Sequence, residues 1–253
     1  MLSKINKLAR EFSQSADKGE WLRNEVKWRY FTYRQRAHHR QNVQFDAEHH
    51  VETAGDLALE KAGISGDQIR AGNGVYRALT GALFHSALAA IPLPHEQYSF
   101  VDVGSGKGKV LLMAADYPFR RVVGIEYSPL LHQVAVKNIA SYVSSTQRCR
   151  DVVAELGDAL AYVPPPGPLF FFMFNALAPD MMERWLAGVD RLAGEDSDRA
   201  IVVEYTNLRT VREMAPVLER RVNLETFRRS GKFVVLANSA ARRTLASAGG
   251  HAR

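Results

Sequence analysis

One short turn in the sequence combines an acid with three glycines. Residues 99–113 read SFVDVGSGKGKVLLM, which places Gly104, Gly106 and Gly108 between an apolar strand and an apolar helix. Glycines let the backbone approach a ligand closely, and the first turn of a helix offers free amides. Asp102 precedes the first glycine by two residues and adds a negative charge. This pattern predicts a site for a ligand that carries positive groups, such as an ammonium and a sulfonium.

The spacing of these glycines differs from that of the commonest nucleotide-binding turn. Dinucleotide enzymes use a G-x-G-x-x-G register, in which pyrophosphate lies on the helix end. Here the third glycine position of that register falls on Lys109, and the carboxylate of Asp102 would repel a pyrophosphate. An NAD-dependent oxidoreductase is therefore the weaker interpretation of this turn.

The segment VDVGSGKG resembles motif I of class I S-adenosyl-L-methionine-dependent methyltransferases, and three later segments extend the resemblance. VVGIEYS places Glu126 where this family binds the ribose hydroxyls. AELGDAL places Asp158 at the adenine amino group and the Ala159 amide at a ring nitrogen, and FFFMFNAL places Asn175 among substrate-facing residues. The resemblance implies that S-adenosyl-L-methionine is the cofactor and that it is bound by Tyr76, Asp102, Gly104, Ser105, Gly106, Gly108, Glu126, Tyr127, Asp158, Ala159 and Asn175.

The activity that the resemblance implies is in-line transfer of a methyl group from the sulfonium to a nucleophile. Because the donor is already activated, the protein mainly aligns the reactants and excludes water, and a general base is optional. The catalytic candidates are Asn175, Glu204 and Tyr205. Relatives that methylate amides or amino groups often carry NPPY or DPPY after the fourth strand, whereas this chain has NALAP. That departure leaves Asn175 as an orienting residue.

Several classes of molecule are candidates for the methyl acceptor. We expect a small molecule, because no recognisable RNA-binding or chromatin module is appended. However, motif I also resembles the non-SET lysine methyltransferases of chromatin, and the basic segment 21–40 is suited to an acidic surface. A protein or nucleic-acid acceptor therefore remains an alternative, as does a cofactor-binding partner without turnover. We expect Lys107 and Lys109 to point to solvent or towards the carboxylate of the cofactor.

The order of the predicted elements indicates an α/β fold with a doubly wound, mostly parallel seven-stranded sheet and a helical N-terminal extension. We expect residues 1–71 to form the extension, which would cover the cofactor as a lid, residues 72–239 the cofactor-binding domain, and residues 240–253 a flexible tail. The predicted strands are Phe100–Val103, Arg121–Tyr127, Val152–Leu156, Leu169–Phe174, Ala200–Tyr205 and an antiparallel pair in VNLETFRRSGKFVVLAN. The predicted helices include Val75–Ala90, Gly108–Ala115, Pro129–Tyr142 and Met181–Leu192.

Composition narrows the remaining classes of function. The chain has 33 basic and 27 acidic residues and therefore a net charge of +6. This excess of positive charge is too small to indicate nucleic-acid binding by itself. A single cysteine, Cys149, excludes a disulfide framework and fits a reducing compartment, so we expect a cytoplasmic protein. No apolar run approaches the ~18 residues that a spanning helix needs, so we expect no membrane association. The histidines at 38, 39, 49 and 50 lack the companion ligands of a metal site, and we expect none.

Overall fold

The computed structural model of the chain describes residues 12, 17–64, 75–206, 211–219 and 221–249. The chain forms two compact units, residues 1–41 and 42–253. Helix α1 (Lys18–His49) supplies most of the described part of the first unit and ends in the second. Leu22, Val26 and Tyr33 of the first unit are exposed. The side chains of Trp21, Trp28, Tyr30 and Phe31, which we considered for an acceptor pocket, lie outside the described part of the structure.

A two-stranded antiparallel sheet replaces the beginning of one predicted helix. Strands β1 (Leu57–Ala58) and β2 (Val75–Tyr76) pair in the register Leu57↔Tyr76, so the helix predicted from Val75 begins later, as α2 (Gly81–Leu88). Thr80, directly before α2, has an extended backbone. The β-branched and aromatic side chains of Val75 and Tyr76 favour a strand over the helical pattern that they share with the residues that follow.

The second unit is built on a seven-stranded sheet. Its strands are β3 (Ser99–Val103), β4 (Arg121–Glu126), β5 (Val152–Leu156), β6 (Leu169–Met173), β7 (Ile201–Thr206), β8 (Glu225–Arg229) and β9 (Phe233–Ala237). Their order is β5-β4-β3-β6-β7-β9-β8, with β3 to β7 parallel, β9 antiparallel to β7 and β8 antiparallel to β9. This confirms the expected doubly wound, mostly parallel sheet with a helical N-terminal extension.

Helices cover both faces of this sheet and bury an apolar core on each. They are α2, α3 (Lys109–Ala114), α4 (Pro129–Ser141), α5 (Pro179–Glu195), α6 (Val211–Glu219) and α7 (Ser239–Gly249). One core contains Phe84, Leu111 and Phe172, and the other contains Trp185 and Leu186. Helix α4 begins where the sequence predicts, because proline occupies its first turn and the Ser128 hydroxyl accepts a hydrogen bond from the Leu131 amide (3.2 Å).

The strand order reverses at β3, which has β4 on one side and β6 on the other. In open α/β sheets, the loops that leave such a strand diverge and form a crevice at the carboxyl ends of the strands. The glycine turn leaves β3 at this position, so the topology alone places it where this class of fold binds ligands.

The C-terminal segment, which we expected to be a flexible tail from residue 240, is instead the helix α7. Asn238 caps it, since its Oδ1 accepts from the Ala241 amide and also from the Ile201 amide of β7, both at 3.0 Å. Ala241 and Leu245 are buried against the sheet. The prediction was wrong because alanines and serines give this segment few large apolar residues, while a single Asn links it to the sheet. No described helix is long and apolar enough to span a membrane.

We predict that Leu245→Ala lowers the free energy of unfolding by about 2–4 kcal/mol, because it removes a fully buried side chain of α7 and leaves a cavity. Urea denaturation followed by circular dichroism measures the change. The control is Arg243→Ala on the exposed side of the same helix, which should change the free energy by less than about 0.5 kcal/mol. Equal midpoints for both variants would show that α7 does not contribute to the fold.

Candidate functional site

A cavity of about 180 Å³ lies at the carboxyl ends of β3, β4, β5 and β6. Leu59, which follows β1, and Val75 of β2 also line it. The cavity brings together all of the predicted cofactor residues except Gly108, namely Tyr76, Asp102, Gly104, Ser105, Gly106, Glu126, Tyr127, Asp158, Ala159 and Asn175. Residues spread over a hundred positions of sequence therefore meet around one space.

The glycine turn after β3 has no room for side chains. Gly104 has φ 75°, and a Cβ there would lie 2.5 Å from the Cβ of Ala176. Gly106 has φ 56°, and a Cβ there would lie 2.4 Å from the ring of Tyr76. Both the left-handed backbone and the close neighbours require glycine. Because the turn is bare, its backbone forms part of the cavity wall.

Gly108 has a different role from the other two glycines. It is the residue before α3, with φ 82°, and a Cβ there would lie 3.1 Å from the Cβ of Ala135 in α4. It does not line the cavity. Gly108 therefore lets α3 begin close to α4, which places the helix N-terminus behind the glycine turn.

The carboxylate of Glu126, at the end of β4, is hydrogen-bonded to the glycine turn. One oxygen accepts a hydrogen bond from the Gly106 amide (2.7 Å) and the other accepts from the Ser128 amide (2.8 Å). Burial raises the pKa of Glu126, and these backbone hydrogen bonds oppose the rise. Each carboxylate oxygen can accept a second hydrogen bond. The side chain lines the cavity in a fixed orientation, so it is suited to accept from a pair of ligand hydroxyls.

Asp102 lies in β3 with only 2% of its surface exposed, and it lines the same cavity. Burial raises the pKa of Asp102 well above its usual range, and the negative charge of Glu126 raises it further. A positive charge near Asp102 would oppose both effects and stabilise its carboxylate form. A ligand with an ammonium group would supply that charge.

Asp158 follows β5 and is exposed, unlike the other two acids. Its Oδ1 accepts a hydrogen bond from the Leu160 amide (2.9 Å), which fixes the loop after β5. Ala159 and Gly157 line the cavity beside it. This loop offers a carboxylate and backbone groups at the rim of the site.

Hydrogen bonds that the sequence does not predict connect the segment between α1 and β1 to the glycine turn. Asn138 of α4 accepts from the Glu52 amide (2.8 Å) and donates to the carbonyls of Glu52 (3.0 Å) and Lys107 (2.8 Å). Tyr76 donates to the Thr53 carbonyl (2.9 Å). Nothing in the spacing of Asn138 distinguishes it from a surface residue of an amphipathic helix, so only the fold shows its role.

The three catalytic candidates occupy different environments. Asn175 lines the cavity and has φ 54°, a left-handed conformation that asparagine tolerates better than most residues. Glu204 and Tyr205 are buried within β7, Tyr205 among the apolar residues of the core on the α5 side. Neither lines the cavity. The structure therefore brings Asn175 to the other predicted residues and does not bring Glu204 or Tyr205.

The lysines of the turn and the histidines also have defined positions. Lys107 and Lys109 are buried, so the expectation that they point to solvent is wrong. His49 Nδ1 lies 2.7 Å from the Val143 carbonyl, at the end of α1. Within the part of the chain that the structure describes, no group of three His, Cys, Asp or Glu side chains is arranged to hold a metal ion.

Solved structures are similar to this chain at low sequence identity. The ribosomal protein L11 methylase of Lactobacillus delbrueckii subsp. bulgaricus is 16% identical over 62% of this chain and 76% of its own, with a TM-score of 0.43. The pyocyanin biosynthetic protein PhzM is 21% identical over 62% and 54%, with a TM-score of 0.47. An RNA methyltransferase of Salinibacter ruber, solved with S-adenosyl-L-homocysteine, is 18% identical over 63% and 91%, with a TM-score of 0.41.

No family model matches the chain, and no curated protein matches it. The identities and TM-scores above assign neither an activity nor an acceptor. What the chain can do must be inferred from its own cavity.

We predict that Glu204→Gln flattens the pH dependence of stability. Burial raises the pKa of Glu204 to about 8, so the folded state keeps a proton that the unfolded state releases near its ordinary pKa. The contribution of Glu204 to the stability of the wild type should therefore be largest below its ordinary pKa of 4.5 and be lost as the pH rises to about 8. At pH 9 the variant should melt roughly 5 °C higher than the wild type, and at pH 5 the two should melt together. Differential scanning calorimetry at both pH values tests this, and a difference that is independent of pH would contradict it.

Proposed function

We propose that this chain is a methyltransferase that uses S-adenosyl-L-methionine. The observation that carries the proposal is the single cavity in which the bare glycine turn meets Asp102 of β3, Glu126 of β4 and Asp158 after β5. Three acids at the ends of three neighbouring strands suit a ligand with an ammonium group, vicinal hydroxyls and an amino group. A pyrophosphate, which dinucleotide enzymes require, would be repelled.

Different residues of the cavity would bind different parts of the cofactor. Asp102 would compensate the positive charge of the methionine end, and Glu126 would accept from the ribose hydroxyls. Asp158 and the Ala159 amide would bind the adenine ring. When bound, the cofactor supplies an activated methyl group.

The reaction then needs orientation and exclusion of water more than acid–base chemistry. Of the three catalytic candidates we assign a role only to Asn175, which lines the cavity and can orient the acceptor through its amide. The surrounding wall is apolar and includes Leu79, Phe174 and Met181. Such a wall favours an acceptor that enters the cavity, so we propose a small molecule.

The test is isothermal titration with S-adenosyl-L-homocysteine. Asp102→Asn and Glu126→Gln keep the shape of the side chain and remove its charge, so each should weaken binding by roughly 10–100-fold, the cost of a charged hydrogen bond. The matched control is Glu155→Gln in β5, which does not line the cavity and should bind as the wild type does. Thermal unfolding of each variant shows that it is folded.

The same titration distinguishes a methyltransferase from an NAD-dependent oxidoreductase. If the wild type binds S-adenosyl-L-homocysteine but not NADH, a search for acceptors with isotopically labelled methyl donor is the next step. A wild type that binds NADH instead, or variants that bind as tightly as the wild type, would contradict the proposal.

A further inference from the structure

Lys109 is a buried cation in the wall of the cavity. It is the first residue of α3, only 3% of its surface is exposed, and it lines the cavity. Its Nζ donates to the Oδ1 of Asn42 (2.6 Å) and lies 4.3 Å from the centre of the Phe45 ring. Asn42 is held in turn, since its amide nitrogen donates to the Ala78 carbonyl (3.2 Å). The ammonium is therefore fixed in position.

No described carboxylate forms an ion pair with this ammonium. The other cations near the cavity do have partners: Lys107 pairs with Glu52 and Arg77 with Asp56, each at 3.1 Å. Asp46 is close enough for its charge to oppose the fall in the pKa of Lys109. However, both oxygens of Asp46 accept hydrogen bonds from residues 53 and 54.

A buried ammonium without a carboxylate partner is costly, and such groups are normally paired. Burial lowers the pKa of Lys109 to about 8, which leaves the side chain mostly charged at neutral pH. A cation at the first turn of a helix is also unfavourable, because it faces the positive end of the helix dipole. A ligand anion in the cavity would remove this cost.

We propose that Lys109 forms a carboxylate-binding subsite of the cavity. The proposal rests on the proposed function for its ligand, since the carboxylate can come from the methionine end of the cofactor or from the acceptor. Asp102, Glu126 and Asp158, which line the same cavity, repel an anion. Lys109 therefore marks the part of the site where an anionic group of the ligand lies.

The experiment compares Lys109→Met with the wild type in titrations with S-adenosyl-L-homocysteine and 5′-methylthioadenosine. The second compound has the adenine, ribose and thioether but no carboxylate or amino group. If the cofactor supplies the carboxylate, the variant should bind S-adenosyl-L-homocysteine at least tenfold more weakly and 5′-methylthioadenosine unchanged. The control is Lys137→Met, which removes an exposed lysine of α4 and should change neither affinity.

A second titration tests the acceptor as the source. Benzoate is added to protein saturated with S-adenosyl-L-homocysteine, and binding that Lys109→Met abolishes would assign the carboxylate to the acceptor. The proposal is overturned if the variant matches the wild type in every titration. It is also overturned if the variant binds both nucleosides equally weakly, because that result indicates a general loss of structure.

These outcomes are distinguishable from failure of the proposed function. If the wild type binds neither nucleoside, the cofactor assignment fails, and benzoate is then titrated into the ligand-free protein. Binding that is lost only in Lys109→Met would still support the subsite, and unchanged or absent binding would overturn it.

Discussion

The site depends on the absence of a side chain at two positions of one turn, Gly104 and Gly106. Ala176 fills the space where Gly104 would carry a Cβ, and the Tyr76 ring fills the space beside Gly106. The turn can therefore pack between the loop after β6 and strand β2, with the amides of Gly104 and Ser105 donating to the Ile125 carbonyl (2.9 and 3.0 Å). The Gly106 amide donates to Glu126, which joins the carboxyl ends of β3 and β4. A side chain in this turn would separate the elements whose residues form the cavity.

Acidic and basic side chains both line the cavity around this turn. Asp102 and Glu126 are buried close enough to raise the pKa of Asp102, so this end lacks positive charge. Lys109 at another part of the wall is a buried cation without a described carboxylate partner. The folded chain thus buries carboxyl groups and an ammonium group in the wall of one cavity. Such an arrangement is costly for the ligand-free protein and complementary to a zwitterionic ligand, as expected of a binding site in which stability is reduced for function.

Local patterns predicted the sheet and the core of the site well. Apolar runs such as LFFFMF identified the buried strands, and the resemblance of four segments to the motifs of a known family gave the cavity-lining residues from Asp102 to Asn175. Predictions failed where contacts between residues distant in sequence determine the local structure. Helix α7 depends on Asn238 contacting β7, and β2 depends on pairing with β1 across a gap in sequence. The burial of Lys109 depends on Asn42 and Phe45, which lie more than sixty residues away.

The central claim is that this cavity binds an adenosyl ligand by its acids, and a crystal structure of the protein with S-adenosyl-L-homocysteine tests it most directly. We predict electron density for the nucleoside inside the cavity, with both ribose hydroxyls within about 3.2 Å of the Glu126 carboxylate and the adenine beside Asp158. A nucleoside bound outside the cavity, or inside it with its ribose away from Glu126, would contradict the account.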